Sequence, residues 1–264
     1  MKRIKFLSIL MALTLVLGAC GTNNSANNGG DEGGSGDDGG TTYTVGTDTT
    51  YPPFEFEEGG EYKGIDIDLI NAIAEEEGFE IELKPMDFGG IIPAILADQL
   101  DVAIAGMSIT DERKEKVDFS DPYFDAGLTL VVSEDNTDIT SEDDLEGKVV
   151  AVKNGTTGAE HAEAIKEEAG IKEVRQFNDS PSMFQEVANG NADVLIEDYP
   201  VIAYAIKTSG LDLKTVGERL NGDQYGIAVK KGENAELLEK INSGLQKIRD
   251  NGTYDEIMNT YLEE

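Results

Sequence analysis

Side chains that commonly carry out catalysis or hold metal ions are scarce in this sequence. The 264 residues include one histidine, His161, and one cysteine, Cys20. His161 lies in a polar segment that is predicted to be helical, and no serine or cysteine nucleophile motif accompanies it. The sequence has neither the cysteine–histidine spacing of a zinc site nor a glycine-rich phosphate-binding loop. These observations predict a protein that is not an enzyme and that uses no cofactor or metal.

A second group of side chains is suited to binding a small charged molecule. Arg113 could hold a carboxylate, because a guanidinium offers two parallel donors, although an arginine in Asp-Glu-Arg-Lys is more often a surface charge. Asp198 could hold an ammonium group, although an aspartate at this position often only caps a helix. Thr156 and Thr157 precede a predicted helix, whose free N–H groups favour an anion. Ser108 and Thr157 could also simply satisfy the backbone of their loops.

Short apolar strands alternate with amphipathic helices along the chain, which predicts an α/β fold with mostly parallel sheets. Apolar residues at positions 65, 69, 70 and 73 predict a helix that Gly78 ends, whereas residues 51–54 are predicted to form a loop. The predicted strands occupy residues 43–46, 81–84, 102–105, 128–132, 148–152, 174–177, 194–196 and 225–229. The predicted helices occupy residues 65–76, 90–98, 158–168, 182–188, 200–207, 235–249 and 253–262.

The first forty residues predict a secreted, lipid-anchored protein. A basic start precedes an apolar run at residues 6–17, which is too short to cross a membrane and is typical of a secretory signal peptide. The Leu-Gly-Ala-Cys ending at Cys20 resembles the lipobox of bacterial lipoproteins, in which the cysteine is lipidated; an ordinary signal with a chance cysteine is the alternative. We therefore predict a signal peptide at 1–19, and at 20–40 the lipidated cysteine and a flexible, acidic Gly/Asn-rich linker.

The charge of the chain disfavours two classes of partner. Acidic residues outnumber basic ones by 53 to 21, and the formal net charge is −32 at pH 7. Such an excess disfavours nucleic acid and direct adsorption to anionic lipid. The charge does not by itself identify a ligand.

A series of short motifs runs from about residue 44 to residue 262. They are Asp-Thr-Thr-Tyr-Pro-Pro-Phe-Glu-Phe (48–56), Gly-Ile-Asp-Ile-Asp-Leu (64–69), Leu-Lys-Pro-Met-Asp-Phe-Gly-Gly-Ile-Ile-Pro-Ala (83–94), Ala-Gly-Met-Ser-Ile-Thr-Asp-Glu-Arg-Lys (105–114), Val-Asp-Phe-Ser-Asp-Pro-Tyr (117–123), Lys-Val-Val-Ala-Val-Lys (148–153), Gln-Tyr-Gly-Ile-Ala (224–228) and Asn-Gly-Thr-Tyr (251–254). In order and spacing the series resembles family 3 solute-binding proteins for polar amino acids, and within that family most closely the glutamine-binding proteins.

The resemblance implies a two-lobe periplasmic-binding-protein-like fold of type II, with a central, mostly parallel sheet flanked by helices in each lobe. Lobe 1 would comprise residues 41–122 and 224–264, lobe 2 residues 128–220, and the two hinge segments residues 123–127 and 221–225. The resemblance also implies a monomeric, extracytoplasmic protein that captures an amino acid by closing its cleft and delivers it to the permease subunits of an ABC importer. A dehydratase-like enzyme or a ligand sensor on the same fold is the alternative.

The resemblance assigns roles to the charged candidates. An amino-acid zwitterion carries two charges, and each needs a fixed partner when a closing cleft excludes water. Arg113, assisted by Ser108, Thr156 and Thr157, would hold the α-carboxylate, and Asp198 would hold the α-ammonium group. The residues predicted to bind the ligand are Asp48, Tyr51, Phe88, Ala105, Gly106, Ser108, Arg113, Lys153, Thr156, Thr157, Glu197 and Asp198.

Other residues of the predicted site bear on which side chain the ligand carries. Tyr51 and Phe88 would enclose its aliphatic part, whose burial contributes about 1–2 kcal/mol. Asp48 and Lys153 match positions that read the side-chain amide in glutamine-binding relatives, and an acid and a base together suit a group that both donates and accepts. Glu197 departs from the pattern, because those relatives carry a histidine there. An extra carboxylate facing the ligand would favour arginine or lysine, whereas one pointing into solvent or paired with Lys153 would leave glutamine preferred.

Overall fold

The structure is a computed structural model in which residues 41–262 are described. The signal peptide, the lipidated Cys20 and the linker predicted for residues 1–40 lie outside the described residues. Within residues 41–262, no helix is both long enough and apolar enough to span a membrane.

The described chain alternates strands and helices. The strands are β1 (Thr42–Thr47), β2 (Thr50–Tyr51), β3 (Glu55–Glu58), β4 (Glu61–Lys63), β5 (Glu80–Pro85), β6 (Val102–Ala103), β7 (Val117–Phe119), β8 (Phe124–Asp125), β9 (Leu128–Ser133), β10 (Val149–Lys153), β11 (Glu173–Phe177), β12 (Val194–Asp198), β13 (Leu213–Val216), β14 (Gln224–Tyr225) and β15 (Ala228–Lys230). The helices are α1 (Ile65–Glu77), α2 (Phe88–Leu96), α3 (Asp111–Lys114), α4 (Thr157–Ile165), α5 (Ser180–Ala188), α6 (Tyr199–Ser209), α7 (Ala235–Asp250) and α8 (Thr253–Leu262).

The first sheet has five strands in the order β5-β1-β6-β15-β7. Strands β5, β1 and β6 are parallel, and β15 runs antiparallel to both β6 and β7. Helix α2 packs on β1, β6 and β15, while α1, α7 and α8 pack against one another. Val45, Val102 and Val229 are fully buried at the centre of this layer, so burial of branched apolar side chains stabilises it.

The second sheet repeats this arrangement with the order β11-β10-β12-β9-β13. Strands β11, β10 and β12 are parallel, and β9 runs antiparallel to both β12 and β13. Helices α4 and α5 pack on β10 and β12, and α6 packs on β12, β9 and β13. The near-continuous apolar run Val149–Val152 is buried throughout, as expected for a parallel strand covered on both faces.

The chain passes between the two sheets twice. The first passage runs from β7 to β9 and contains β8; the second runs from β13 to β15 and contains β14. Strands β8 and β14 pair antiparallel, with Phe124 opposite Tyr225. These passages coincide with the segments 123–127 and 221–225 that were predicted to act as hinges, and their role as hinges remains a prediction.

Local sequence signals explain several element ends. Gly78 ends α1 in the left-handed conformation, with φ of 69°, which a glycine adopts without steric cost. The side chains of Thr110, Thr156 and Asp179 accept hydrogen bonds from backbone N–H groups at the starts of α3, α4 and α5. Such caps satisfy donors that have no partner within the helix.

Some elements differ from the sequence prediction. The segment predicted as one strand at 225–229 forms β14 and β15 separately, because the chain leaves the pairing with β8 after Tyr225 and joins the first sheet at Ala228. The segment from 50 to 63, predicted to begin with a loop, forms the three-stranded sheet β2-β3-β4. The short elements α3, β7 and β13 were not predicted, since each spans too few residues to show a period.

Candidate ligand-binding site

A small cavity forms where loops from the two sheets come together. Its free volume is only about 10 Å³, about the space of one water molecule, so its walls lie close together. Its lining residues are Tyr51, Phe88, Gly106, Ser108, Arg113, Lys153, Thr156, Thr157 and Asp198, all of which are among the residues predicted from the sequence. Tyr51 lies in β2 and Arg113 in α3. Lys153 and Asp198 end strands of the parallel part of the second sheet, which is where open α/β sheets place their ligand sites.

A larger and more open groove of about 530 Å³ lies between β8, α6 and the end of α8. Its walls include Tyr199, which is 39% exposed. In the small cavity, by contrast, the charged side chains Arg113 and Asp198 are only 4% and 5% exposed. Buried, convergent charges are costly unless they have a partner to bind, so the small cavity is the candidate site.

Arg113 is buried at one end of the cavity and is not the surface charge that its acidic neighbours would suggest. Its Nη1 donates to the carbonyl of Ser108 at 2.8 Å, and its Nη2 donates to the carbonyl of Gly155 at 3.1 Å. The guanidinium also lies 5.3 Å from the centre of the Phe88 ring. Burial lowers the pKa of Arg113, but guanidinium remains charged in proteins. Since it has five N–H donors, it retains capacity for a carboxylate.

The loop before α4 lies beside this arginine, as the contact between Arg113 and Gly155 shows. The Thr156 hydroxyl donates to the carbonyl of Lys153 at 2.8 Å and accepts from the N–H of Ala159 at 3.3 Å. Thr156 therefore serves as the helix cap, which leaves the first N–H groups of α4 for an anion. The helix start and the guanidinium thus offer donors at the same end of the cavity.

Asp198 supplies the opposite charge. It occupies the cap position of α6, but its side chain makes no capping hydrogen bond. Its Oδ2 instead accepts from the hydroxyls of Tyr51, at 2.8 Å, and Tyr225, at 2.7 Å. Its Oδ1 is buried and has no hydrogen-bond partner among the described residues. Burial raises the pKa of Asp198, so a positive group at Oδ1 would favour the ionised form.

The aromatic wall at Tyr51 depends on a glycine. The Cβ of any larger residue at Gly106 would lie 2.7 Å from Cε1 of Tyr51, and Gly106 has φ of 52°. Both the close contact and the left-handed backbone require glycine at this position. The ring of Tyr51 can therefore lie flat against the backbone while its hydroxyl reaches Asp198.

Asp48 and Lys153 form a buried ion pair. Lys153 Nζ lies 2.7 Å from Asp48 Oδ2, and the exposed fractions of the two side chains are 2% and 3%. Asp48 Oδ1 accepts from the backbone N–H of Thr50 at 2.7 Å and from its hydroxyl at 2.7 Å. The ammonium of Lys153 lies 4.7 Å from the centre of the Tyr51 ring. Lys153 lines the cavity, whereas Asp48 lies behind it.

Glu197 neither points into solvent nor forms an ion pair with Lys153. It is 3% exposed, and its Oε1 lies 2.9 Å from the Tyr51 hydroxyl and accepts from the N–H of Asp198 at 2.8 Å. Its Oε2 lies 3.3 Å from the hydroxyl of Ser180. Burial, followed by the charge of Asp198, raises the pKa of Glu197 to about 7. The single hydroxyl proton of Tyr51 is shared by the carboxylates of Glu197 and Asp198. Asp198 also accepts from Tyr225, so Glu197 is the less readily ionised of the two.

The predicted set differs from the observed surroundings of the cavity at three residues. Ala105 is fully buried and packs in the hydrophobic cluster that contains Met107, so its side chain does not line the cavity. Tyr225 and Ser180 contact the site's carboxylates but were not predicted to do so. Tyr225 lies in one of the motifs, which was a usable signal; nothing near Ser180 in the sequence distinguishes it from a helix-start serine.

Comparison with known proteins places this geometry in context. The family described as bacterial extracellular solute-binding proteins, family 3, matches residues 43–264. The arginine-binding extracellular protein ArtP of Bacillus subtilis is 33% identical over 259 residues, covering 97% of this chain and 96% of that protein. An ancestral arginine-binding protein solved with arginine has 47% identity and a TM-score of 0.79, covering 84% of this chain and 98% of the other.

The same kind of ancestral protein has also been solved with glutamine. That structure has 46% identity and a TM-score of 0.77, and the match covers 84% of this chain and 98% of the other. At these identities the likeness extends beyond the general fold. The prediction of a two-lobe α/β fold of the periplasmic-binding-protein type is confirmed.

Proposed function

Because the chain belongs to family 3 of the bacterial extracellular solute-binding proteins, we propose that its cavity captures a free polar amino acid for an ABC importer. The protein binds the amino acid between its two sheets, closes around it and delivers it to the permease subunits. Cys20 carries the lipid that holds it at the outer face of the cell membrane.

One observation carries the proposal: Arg113 and Asp198 line the same small cavity, both nearly fully buried. The guanidinium has unused donors, and Asp198 Oδ1 is an unused acceptor. A zwitterion would neutralise both groups at once, whereas either group alone would remain a costly buried charge. In the described structure His161 lies on α4 against Glu142 and away from the cavity lining, so binding rather than catalysis is proposed.

Contacts between the two halves of the cavity support capture by closure. The hydroxyl of Tyr51 reaches Asp198, Lys153 reaches Asp48, and Arg113 reaches Gly155. Each contact joins an element of the first sheet's half to one of the second. A ligand that touches both halves stabilises the closed arrangement by as much as its affinity differs between open and closed forms.

Glutamine is the first candidate for the ligand. Lys153 lines the cavity and its charge is neutralised by Asp48, so it offers a donor without adding net charge to the site. The side-chain amide oxygen of glutamine is a neutral acceptor for such a donor. With Glu197 protonated, the charges around a bound glutamine balance, because Arg113 and Asp198 match the zwitterion.

Arginine is the second candidate, and Glu197 is the observation that favours it. If Glu197 stays ionised, the carboxyl groups beside the cavity carry one negative charge beyond Asp198 and the neutral Asp48–Lys153 pair, which suits a cationic ligand. The arginine-binding relatives agree with this possibility. The two candidates differ in the protonation of one carboxyl group, so pH separates them.

Calorimetric titration of the purified protein at pH 6 and pH 8 tests the proposal. The ligands are glutamine, arginine, lysine, histidine and glutamate. We expect glutamine to bind, with affinity equal or higher at pH 6, and any binding of arginine to strengthen at pH 8 as Glu197 ionises. Glu197→Gln should raise the ratio of glutamine to arginine affinity. Tight arginine binding without glutamine binding would reverse the order of the candidates, and no binding of any amino acid would refute the proposal.

Metabolic labelling with a radioactive fatty acid tests the anchor. The expected result is label on the wild-type chain, recovered in the membrane fraction, and neither label nor membrane recovery for Cys20→Ser. Cys20 is the one cysteine of the sequence, so no other thiol can carry the lipid. An unlabelled wild-type protein released into the medium would contradict the anchor while leaving the binding proposal intact.

A further inference from the structure

Two carboxyl groups lie side by side in the interior behind the candidate site. Glu55 and Asp66 are both 0% exposed, and the backbone N–H of Asp66 donates to the carbonyl of Phe54, the residue before Glu55, at 2.9 Å. Both Glu55 oxygens and Asp66 Oδ1 find no hydrogen-bond donor among the other described groups. A fully buried carboxyl group without a donor is costly in its ionised form, so we expect Glu55 to hold a proton, for which Asp66 Oδ1 is a neighbouring acceptor.

The pair connects the cavity wall to a passage between the sheets. Asp66 Oδ2 accepts from the backbone N–H of Gly106 at 2.7 Å and from the hydroxyl of Tyr123 at 2.9 Å. Gly106 is the residue against which the Tyr51 ring lies, and Tyr123 begins the first predicted hinge segment. The N–H of Tyr123 in turn donates to the carbonyl of Tyr225 at 2.9 Å in the second.

Among residues 41–262, the surroundings of the pair supply no free positive charge. Asp48 and Lys153 both act on Glu55, but Lys153 is committed to Asp48. Tyr123 and Tyr225 are neutral, since burial raises their pKa values well above the usual range. Full ionisation of the pair would leave two unbalanced charges in the interior, and an uncompensated buried charge costs several kcal/mol.

We propose that Glu55 and Asp66 hold a single shared proton and act as a positioning pair, with ionised Asp66 fixing Gly106 and Tyr123 and protonated Glu55 donating to Asp66. Loss of that proton releases Gly106 and the Tyr51 ring from their positions and weakens ligand binding. The consequence for binding rests on the proposed function, whereas the shared proton does not.

The titration of the two groups agrees with this assignment. Burial raises the pKa of Glu55 well above its usual range, and the negative charge of Asp66 raises it further. Burial also raises the pKa of Asp66, to about 6, against the lowering effect of the bonds from Gly106 and Tyr123. At neutral pH, therefore, Glu55 keeps the proton and Asp66 is mostly ionised.

Infrared difference spectroscopy of the ligand-free protein tests the proton directly. The spectrum of wild type minus Glu55→Gln at pH 7 should contain the carbonyl band of one protonated carboxylic acid, shifted in heavy water. Glu197→Gln, measured in the same way, separates the contribution of the other carboxyl group with a raised pKa. Glu57→Gln, at the exposed neighbour on β3, should give no such band. A Glu55→Gln difference spectrum without the band would overturn the proposal.

The dependence of affinity on pH tests the positioning role. In Glu55→Gln, the substituted side chain offers a neutral N–H donor in place of the shared proton. This variant should therefore bind the amino acid within about threefold of wild type at pH 7, because one hydrogen bond contributes little net free energy. Above pH 8 wild-type affinity should fall relative to Glu55→Gln, whose pair cannot lose the proton. Using the ratio of the two affinities cancels the titration of the amino acid itself.

Two results would overturn the positioning role. One is a constant affinity ratio between wild type and Glu55→Gln from pH 6 to pH 10. The other is a melting temperature that falls on removal of sodium or divalent cations in wild type but not in Glu55→Gln, because a metal ion would then occupy the place given to the proton. Should the wild type bind no amino acid at all, the proposed function fails, while the infrared result still decides the shared proton.

Discussion

Replacement of Arg113 by alanine is the most demanding test of the site. The variant removes the guanidinium that faces the cavity and its hydrogen bond to Gly155. A ligand α-carboxylate would then enter a space with no cation matched to it. Arg113 is 4% exposed, so the carboxylate would lose hydration on entering the site without gaining a charged partner.

The expected loss of affinity follows from that burial. Removing one partner of a buried ion pair costs about 3–5 kcal/mol, which corresponds to a dissociation constant about 100 to 4,000 times larger. The dissociation constant of Arg113→Lys should lie between those of wild type and Arg113→Ala, because lysine keeps the charge but lacks the planar pair of donors. Replacing a bidentate, charge-assisted contact by a single one costs about 1.5–3 kcal/mol, or roughly 10- to 150-fold.

The assay is calorimetric titration with the best wild-type ligand, together with circular dichroism to show that each variant is folded. Arg175→Ala is the matched control, because Arg175 pairs with Glu173 and Glu186 at a partly exposed site, where ion pairs contribute little. Its affinity should equal that of wild type. A folded Arg113→Ala protein that binds within threefold of wild type would refute the assignment of the α-carboxylate site.

Three further predictions concern other parts of the site. Asp198→Asn should weaken binding at least about 100-fold, because a neutral amide cannot balance a buried ammonium group; unchanged affinity in a calorimetric titration would remove Asp198 from the site. Gly155→Ala should shift the protein toward the open form, since its Cβ would lie 2.8 Å from Gly89 Cα. In small-angle scattering with ligand present, Gly155→Ala should have a larger radius of gyration than wild type. Gly190 has a similar positive φ, but a Cβ there would have no neighbour within 4 Å, so Gly190→Ala should close normally. The melting temperature of the ligand-free protein should fall between pH 5 and pH 8. A carboxyl group whose pKa is higher in the folded than in the unfolded state stabilises the fold fully at pH values below its unfolded-state pKa. That stabilisation is lost as the pH rises through the folded-state pKa, which is about 7 for Glu197. Glu197→Gln should flatten this slope in a thermal melt, and an unchanged slope would show that other groups cause it.

The parts of the fold that could be predicted from the sequence are those set by local spacing. The apolar positions of α1, the left-handed Gly78 and the apolar run of β10 each depend on residues within a few positions of one another. The three-stranded sheet β2-β3-β4 could not be found in this way, because its strands are very short and carry no clear alternation.

The membership of the cavity was predicted, but the chemical state of its residues was not. The ordered motifs contain six of the nine lining residues, and the family resemblance assigned the other three, Thr156, Thr157 and Asp198. Whether Glu197 would face solvent could not be settled from its neighbours along the chain. Its decisive contact is with Tyr51, 146 positions away.

The sequence by itself determined the alternation of strands and helices, the excess of acidic residues and the set of polar side chains at the strand ends. The tertiary structure decided which of those side chains are buried and what each one faces. Arg113 became a buried cation, and Glu55 and Asp66 became a pair with room for one proton. The reason is that charge and protonation depend on desolvation and on partners far away in the chain, and only the packed fold brings those partners within reach.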